Sequence, residues 1–332
     1  MIYDSVIREL QSGGRKILTG HLDPDGDCIG SLLALYNAFG GKENGAVIVL
    51  EDEIPDNLYF LSGTGNIISP DKVDFVPEAV VFVDCAESSR ASSGWLDRYL
   101  PAADIFVIDH HPVDSRLLKN VKPENIVLEP QAASVGEVVY RIIRAAGKTI
   151  NEACAGQLYT AIASDTDFFR QVNTTSESLA ICSELMKIGV DIERIRINLF
   201  ESRSLVNIAF LAEALKGLEM HYDGRLVFMT VPYSLIKKYS AGKDDLRGMV
   251  NFTLSVRGAK MGVFFEERES EVKISLRSRK GYTVNDIAAA MGGGGHLCAA
   301  GAKFTGSAAD AKRKILTLVD KSGRFLLRRE NG

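Results

Sequence analysis

Through the first half of the chain, short apolar runs alternate with longer stretches in which apolar residues recur at helical spacing. Residues 16–19, 46–50, 79–83 and 104–108 form the apolar runs, and residues 28–39 and 135–146 carry the helical periodicity among them. Apolar runs this short read as buried strands, and their alternation with helices predicts a parallel, doubly wound sheet. From 151 to about 219 the pattern is mainly helical, with 191–220 as a helical linker. It then changes: 226–231, 262–266 and 272–276 read as strands of a smaller mixed sheet, followed by helices at 286–291 and 308–327. The sequence therefore predicts an α/β protein, with a doubly wound, mainly parallel domain over 1–190 and a smaller α/β domain over 221–332. There is no internal repeat, and no low-complexity segment beyond four consecutive glycines.

Composition fits this picture. A chain of 332 residues with 46% hydrophobic content has ample material for two packed cores. No apolar stretch reaches the roughly 18 residues needed to span a bilayer, and the first twenty residues lack a signal-peptide pattern, so a cytoplasmic protein without membrane attachment is expected. The five cysteines are odd in number, scattered and without a C-x-x-C pair. That argues against a disulfide framework or a zinc knuckle and leaves them as small core residues. The net charge of -4 conceals an asymmetry: residues 1–222 carry 19 Lys and Arg against 32 Asp and Glu, and residues 223–332 carry 20 against 11. Much of the basic excess reads as solvated helix faces, but Arg277-Ser278-Arg279-Lys280 ends an expected strand just ahead of the glycine run.

Candidate chemistry gathers at the carboxyl ends of the expected strands, where ligands bind in open α/β sheets. The first strand delivers His21, Asp25 and Asp27, the third ends in Asp84, and the fourth ends in Asp109, His110 and His111. Pro24 and Gly26 favour a turn that lets Asp25 and Asp27 face one small volume. Converging carboxylates repel one another unless a cation lies among them, so a purely structural cluster of this kind is unfavourable. Carboxylate and imidazole donors without thiolate suit a divalent ion of the manganese or magnesium type, and histidine shifts the preference toward manganese. Two such ions, about 3.5 to 4 Å apart, activate a water and brace an in-line attack on phosphorus. Ser164-Asp165-Thr166-Asp167-Phe168-Phe169, at the end of the helical run 155–163, can add a further carboxylate. Near the other end, Gly292-Gly293-Gly294-Gly295-His296 reads as a bare turn whose consecutive N–H groups form a phosphate nest, with His296 alongside.

Taken in order, these motifs resemble a known family, the DHH phosphoesterases, which include the RecJ exonucleases, family II inorganic pyrophosphatases, some exopolyphosphatases and the small nanoRNases. The N-terminal motifs are His21-Leu22-Asp23-Pro24-Asp25-Gly26-Asp27, Val83-Asp84, Asp109-His110-His111 and Ser164-Asp165-Thr166. Arg277-Ser278 and the run from Gly292 to Gly301 are similar to the family's associated substrate-binding domain. The resemblance implies two divalent ions, manganese before magnesium. His21, Asp25 and Asp84 would hold one, and Asp27, Asp84, His110 and Asp165 the other. It also implies that Asp109 orients imidazole or water, that His111 contacts the substrate phosphate, and that Arg277, Ser278, Gly292, Gly293, Gly294, Gly295 and His296 bind substrate. One departure is Asp167, where the family usually has glycine.

The resemblance narrows the substrate less sharply. Pyrophosphatases of the family lack the glycine-rich signature, RecJ-type enzymes add a further domain, and the membrane-bound cyclic dinucleotide phosphodiesterases carry spanning helices. No basic stripe interleaved with aromatics marks a groove for long single strands. The compact two-domain form resembles the bifunctional oligoribonucleases, which implies short oligoribonucleotides and 3′-phosphoadenosine 5′-phosphate as substrates and allows for a homodimer. An exopolyphosphatase, a soluble cyclic dinucleotide phosphodiesterase, and a nucleotide- or RNA-binding protein without turnover stand as the alternatives.

Overall fold

The computed structural model describes residues 2–112, 118 and 120–325, with the side chains of Asp244 and His296 outside the described residues. The chain divides into two compact units, Met1–Ser202 and Arg203–Gly332.

In the first unit, strands β1 (Lys16–Thr19), β2 (Ala46–Val49), β3 (Ile67–Ile68), β4 (Ala79–Val83), β5 (Asp104–Asp109) and β6 (Ile126–Leu128) form one sheet in the order β3-β2-β1-β4-β5-β6. Every pairing is parallel. Sheets of this kind are covered on both faces, which explains why the strands read as unbroken apolar runs. Leu18, Val81, Val83 and Ile108 face a core shared with the helices, while Ile17, Val80, Phe82 and Val107 face a second one built with Leu96 and Tyr99. The helices of this unit are α1 (Asp4–Gln11), α2 (Gly26–Ala38), α3 (Ser88–Ala91), α4 (Val135–Ala145), α5 (Glu152–Asp165), α6 (Ser176–Ile188) and α7 (Ile192–Arg196). Short β3 and β6 were not legible from periodicity, because two or three residues carry no period.

The strand order reverses between β1 and β4, and an open α/β sheet binds ligands at the carboxyl ends of the strands beside such a reversal. Close packing of α2 on α5 feeds the same place. A Cβ on Gly30 would lie 2.5 Å from the Gln157 carbonyl oxygen, and one on Gly26 would lie 2.7 Å from Ser164. The start of α2, with Asp25 and Asp27, is thereby drawn against the end of α5, which carries Asp165.

The second unit contains α8 (Leu205–Leu215), β7 (Leu218–His221), β8 (Leu226–Val231), α9 (Tyr233–Tyr239), α10 (Lys243–Leu246) and α11 (Met249–Leu254). These are followed by β9 (Met261–Glu267), β10 (Glu271–Ser278), α12 (Asn285–Ala290), β11 (Gly294–His296), β12 (Ala299–Thr305) and α13 (Ala308–Ser322). Its sheet runs β11-β12-β10-β9-β8-β7 and is mixed, with only β8 and β9 parallel. One face packs on α12 and α13 through Ile274, Leu276, Ile287 and Ile315. On the other face, Met229, Val231 and Phe264 meet Phe210 of α8 and Met249 and Val250 of α11.

Three expectations change. Residues 205–220, expected in the 191–220 helical linker, supply α8 and most of β7 to the second unit, because Phe210 and Ala214 bury against its sheet. The last helix closes at Ser322, where Gly323 turns left-handed, and residues 326 and 327 of the expected 308–327 helix lie outside the described residues. The glycine run is not a bare turn: Gly294–His296 form an edge strand. Among the described residues, no helix is long and apolar enough to cross a membrane.

Candidate metal centre

β1 ends one residue short of Gly20 and His21, and the chain then turns into α2. Asp25 is the N-cap of that helix: one carboxylate oxygen accepts from the N–H groups of Asp27 (3.0 Å) and Cys28 (3.2 Å). Asp27 is fully buried, and its two oxygens accept from the Val135 N–H at 2.7 Å and the Gly136 N–H at 2.9 Å, at the start of α4. Asp84 follows β4 in a left-handed conformation with φ of 61°. Such a backbone is uncommon for a residue other than glycine and is kept where the surroundings enforce it. Here the Asp84 N–H is fixed on the Ile108 carbonyl.

These side chains converge. His21 Nε2 lies 3.3 Å from Asp84 Oδ2 and 3.9 Å from Asp25 Oδ1. His110 Nε2 lies 3.4 Å from Asp165 Oδ2, 3.6 Å from Asp84 Oδ1 and 3.7 Å from Asp27 Oδ2. Three groups have donor atoms within 4.8 Å of one another: His21, Asp25 and Asp84; Asp27, His110 and Asp165; and Asp84, His110 and His111. Asp84 sits in two of them. His21 and His110 have their Nδ1 atoms on the carbonyl oxygens of Leu22 (2.8 Å) and Ala132 (3.1 Å). A carbonyl only accepts, so each Nδ1 carries a proton, and Nε2 is the ring nitrogen that faces the carboxylates; in His110, held neutral, it presents its lone pair.

The electrostatics are those of a site built for a cation. Burial and the charges of Asp84, Asp165 and Asp25 push the Asp27 carboxyl well above its ordinary range, and burial with Asp25, Asp165 and Asp109 does the same to Asp84. Burial and Asp25 push Asp165 up to about 7, while burial and its neighbour His111 bring His110 down to about 4. Asp84 Oδ1 and His110 Nε2 are buried without a hydrogen-bond partner among the described residues. Two buried acceptors facing one another at this distance are costly unless something positive sits between them, and a divalent ion meets that need. The donor set of carboxylates and imidazoles fits such ions, and thiolates are absent from it. Cys28 and Cys85 are buried, and burial raises both thiols, Cys85 to about 12, so neither is a ready ligand.

Asp109 lies beside this cluster rather than in it. Its Oδ1 accepts from the N–H groups of His110 (2.7 Å) and His111 (3.0 Å) and from His111 Nδ1 (2.8 Å). Burial opposes its charge, but the hydrogen bond and charge of His111 outweigh burial and hold its carboxyl below the ordinary range. Asp167 is not in the ligand groups either. It occupies a left-handed backbone with φ of 48°, and its carboxylate pairs with Arg170 at 2.9 Å. That conformation explains why glycine is at home in this place.

In the second unit, register places three of the seven expected substrate-binding residues, Arg277, Gly294 and His296, in two neighbouring rows of the sheet. Arg277 pairs with Ala299, which pairs with His296, and Ser275 pairs with Gly301, which pairs with Gly294. These two rows lie on the β10-β12-β11 end of the sheet, on the face opposite Leu276 and Ile274. Ser278 falls on the core face, with its hydroxyl bonded to the Tyr282 carbonyl at 2.5 Å. The phosphate-nest reading needs correction. The N–H groups of Gly292 and Gly293 donate to Ala289 and Ala288 and close α12, so they do not point together at an anion. The side chain of His296 lies outside the described residues.

Sequence motifs missed the segment from the end of β6 to the first turn of α4, where Ala132, Val135 and Gly136 hold His110 and Asp27 through backbone groups. Backbone donors and acceptors leave no trace in residue identity, although the Ser134 and Glu137 spacing marks the helix start.

The family described as DHH family, N-terminal domain, matches residues 16–162, and the DHHA1 domain matches residues 224–322. The chain is 32% identical to the Thermus thermophilus protein named bifunctional oligoribonuclease and PAP phosphatase NrnA, covering 92% of this chain and 89% of that one. It is 25% identical to the Bacillus subtilis protein of the same name, over 90% and 92%. Among solved structures, an exopolyphosphatase-related protein from Bacteroides fragilis superposes with a TM-score of 0.88 at 24% identity, covering 96% of each chain.

Proposed function

The chain belongs to the DHH family and so to the hydrolases of phosphoester bonds, and on that footing we propose that it releases mononucleotides from short oligoribonucleotides and AMP from 3′-phosphoadenosine 5′-phosphate. The observation that carries this reading is the convergence of His21, Asp25, Asp27, Asp84, His110 and Asp165 on one volume, around two buried acceptor atoms that lack a hydrogen-bond partner among the described residues. Relatives named for these two activities, aligned over nine-tenths of the chain, supply the substrate class.

In the proposed site, His21, Asp25 and Asp84 would hold one divalent ion, and Asp27, Asp84, His110 and Asp165 would hold a second, with manganese preferred over magnesium because imidazoles share the donor set. When bound, such a pair supplies an activated water and neutralises charge at phosphorus. The protein's own groups do the rest. The Leu22 and Ala132 carbonyls fix the tautomers of His21 and His110. Asp109 grips the Nδ1–H of His111 and so orients that ring for contact with the substrate phosphate. Arg277 is half-buried, and its guanidinium donates to the Leu276 carbonyl at 3.0 Å. A guanidinium in that setting binds an anionic group strongly.

The test is a product time course of the manganese-loaded protein on 3′-phosphoadenosine 5′-phosphate, a 5′-phosphorylated RNA dinucleotide, a cyclic dinucleotide and polyphosphate, with Asp84→Asn as control. Mononucleotides from the dinucleotide and AMP from the bisphosphate, both abolished by Asp84→Asn, are expected. Turnover confined to polyphosphate or the cyclic dinucleotide would reassign the substrate, and inactivity on all four would sink the reading.

A further inference from the structure

One short segment holds two of the candidate ligands, and one buried amide ties that segment to a third. Residues 132–136 present the Ala132 carbonyl to His110 Nδ1 and the N–H groups of Val135 and Gly136 to Asp27. Between these contacts, the Ala133 carbonyl accepts from Asn173 Nδ2 at 2.9 Å. The same nitrogen donates to the Asp165 carbonyl at 3.2 Å, at the end of α5. Asn173 Oδ1 is buried and has no hydrogen-bond partner among the described residues. The two carbonyls fix which way the amide faces, since a flipped amide would set its oxygen against both.

We infer that Asn173 is a positioning residue for the metal site formed by Asp27, His110 and Asp165. Those three residues come from α2, from the end of β5 and from α5, and no covalent connection keeps them in step. The 132–136 segment sets Asp27 and His110, the end of α5 carries Asp165, and Asn173 is the side chain that bonds to both. Without it, the side-chain link between the segment and the helix end is lost, and the packing of α2 and α4 on α5 alone is left to set the spacing of these donor atoms. The other group, His21, Asp25 and Asp84, is held by the Leu22 carbonyl, the α2 cap and the Ile108 carbonyl, none of which involves Asn173. The inference rests on the metal reading of these residues. Its own content is that the two ions depend on Asn173 unequally.

The test is a calorimetric titration of manganese into chelator-treated wild type and Asn173→Ala, with thermal midpoints measured in chelator. One ion is expected to bind about 10- to 100-fold more weakly, the usual cost of losing an outer-shell partner, with the other ion unchanged. The midpoint in chelator should stay within a few degrees of wild type. Asn173→Ser, which keeps a shorter donor, should fall between the two and serves if the alanine variant does not fold. A folded variant that binds both ions as wild type does, equal weakening of both ions, or failure of both variants to fold would each overturn the inference. Wild type that takes up two ions but turns over no phosphoester would end the functional reading and leave this inference standing. Wild type that takes up no manganese would end both.

Discussion

At the scale of single residues, the motif segments around Asp23, Asp84 and Asp167 take left-handed conformations that a free chain avoids. Asp84 and Asp167 both have positive φ, yet for different reasons. Asp84 must be an aspartate, since its carboxylate lies within reach of both His21 and His110. Among the described residues the Asp167 carboxylate pairs only with the exposed Arg170 and lies apart from the ligand groups, so its side chain has little to lose. Replacing it with glycine relieves the left-handed strain of about 1–2 kcal/mol but loosens the unfolded chain by about 0.4–1 kcal/mol. Asp167→Gly is therefore expected to stabilise the fold slightly, by about 1 kcal/mol or less, and to leave manganese affinity intact. Denaturant unfolding and a manganese titration check this; a large loss of metal would show that the carboxylate takes part in the site after all.

At the scale of elements, the β11–β12 hairpin is the most demanding piece. Gly295 combines a φ of 137° with a close approach in which a Cβ would lie 2.6 Å from the Ala299 carbonyl oxygen. Gly295→Ala should push β11 away from β12 at a cost of about 1–3 kcal/mol, the usual range for overpacking. The residues displaced are those in the Arg277 and Ser275 rows, whereas the metal ligands belong to another sheet. The expected result is a KM raised several-fold with kcat nearly unchanged, and faster amide exchange confined to β11 and β12. A fall in kcat at constant KM would place the hairpin in the chemical step instead.

At the scale of the whole molecule, the metal-free protein carries an electrostatic load that pH reveals. Carboxyls of Asp27 and Asp84 stand well above the ordinary value of about 3.9, and Asp165 stands at about 7. Between the unfolded and folded values the native state holds more protons than the unfolded chain, so these groups lower stability as pH rises. His110, at about 4 in the fold against about 6.5 unfolded, acts in the opposite direction, but its effect fades above about pH 6.5 and is nearly complete by about pH 7.5. From pH 6.5 to 8 the thermal midpoint in chelator should therefore fall. With manganese, whose binding requires ionised carboxylates and neutral imidazole, the gap between loaded and metal-free midpoints should widen, and binding should release protons. Midpoints across this range, and calorimetry in two buffers of different ionisation enthalpy, check both; a gap that narrows with pH would refute the account.

Much of this molecule was legible in its sequence because the relevant signals are local. An unbroken apolar run between turns is what a strand buried on both faces requires, so β1, β2, β4 and β5 could be read directly. The motifs at His21, Asp84, Asp109 and Asp165 follow from the placement of ligands at strand and helix ends. What periodicity could not give were the elements too short to have a period, such as β3, β6 and β11, and the conversion of the glycine run into a strand. That conversion depends on β12, which the run meets only across a hairpin. Tertiary structure alone decided which side chains share a volume. Asp27 meets Asp165 because α2 packs on α5 without intervening side chains at Gly26 and Gly30, and Asn173 reaches Ala133 only after the chain has folded back. The sequence by itself determined the chemical identity of the donors, since residue types are local facts. Their distances, their shifted protonation and the orphaned atoms of Asp84 and His110 arise from contacts between distant segments, and only the folded chain brings those into being.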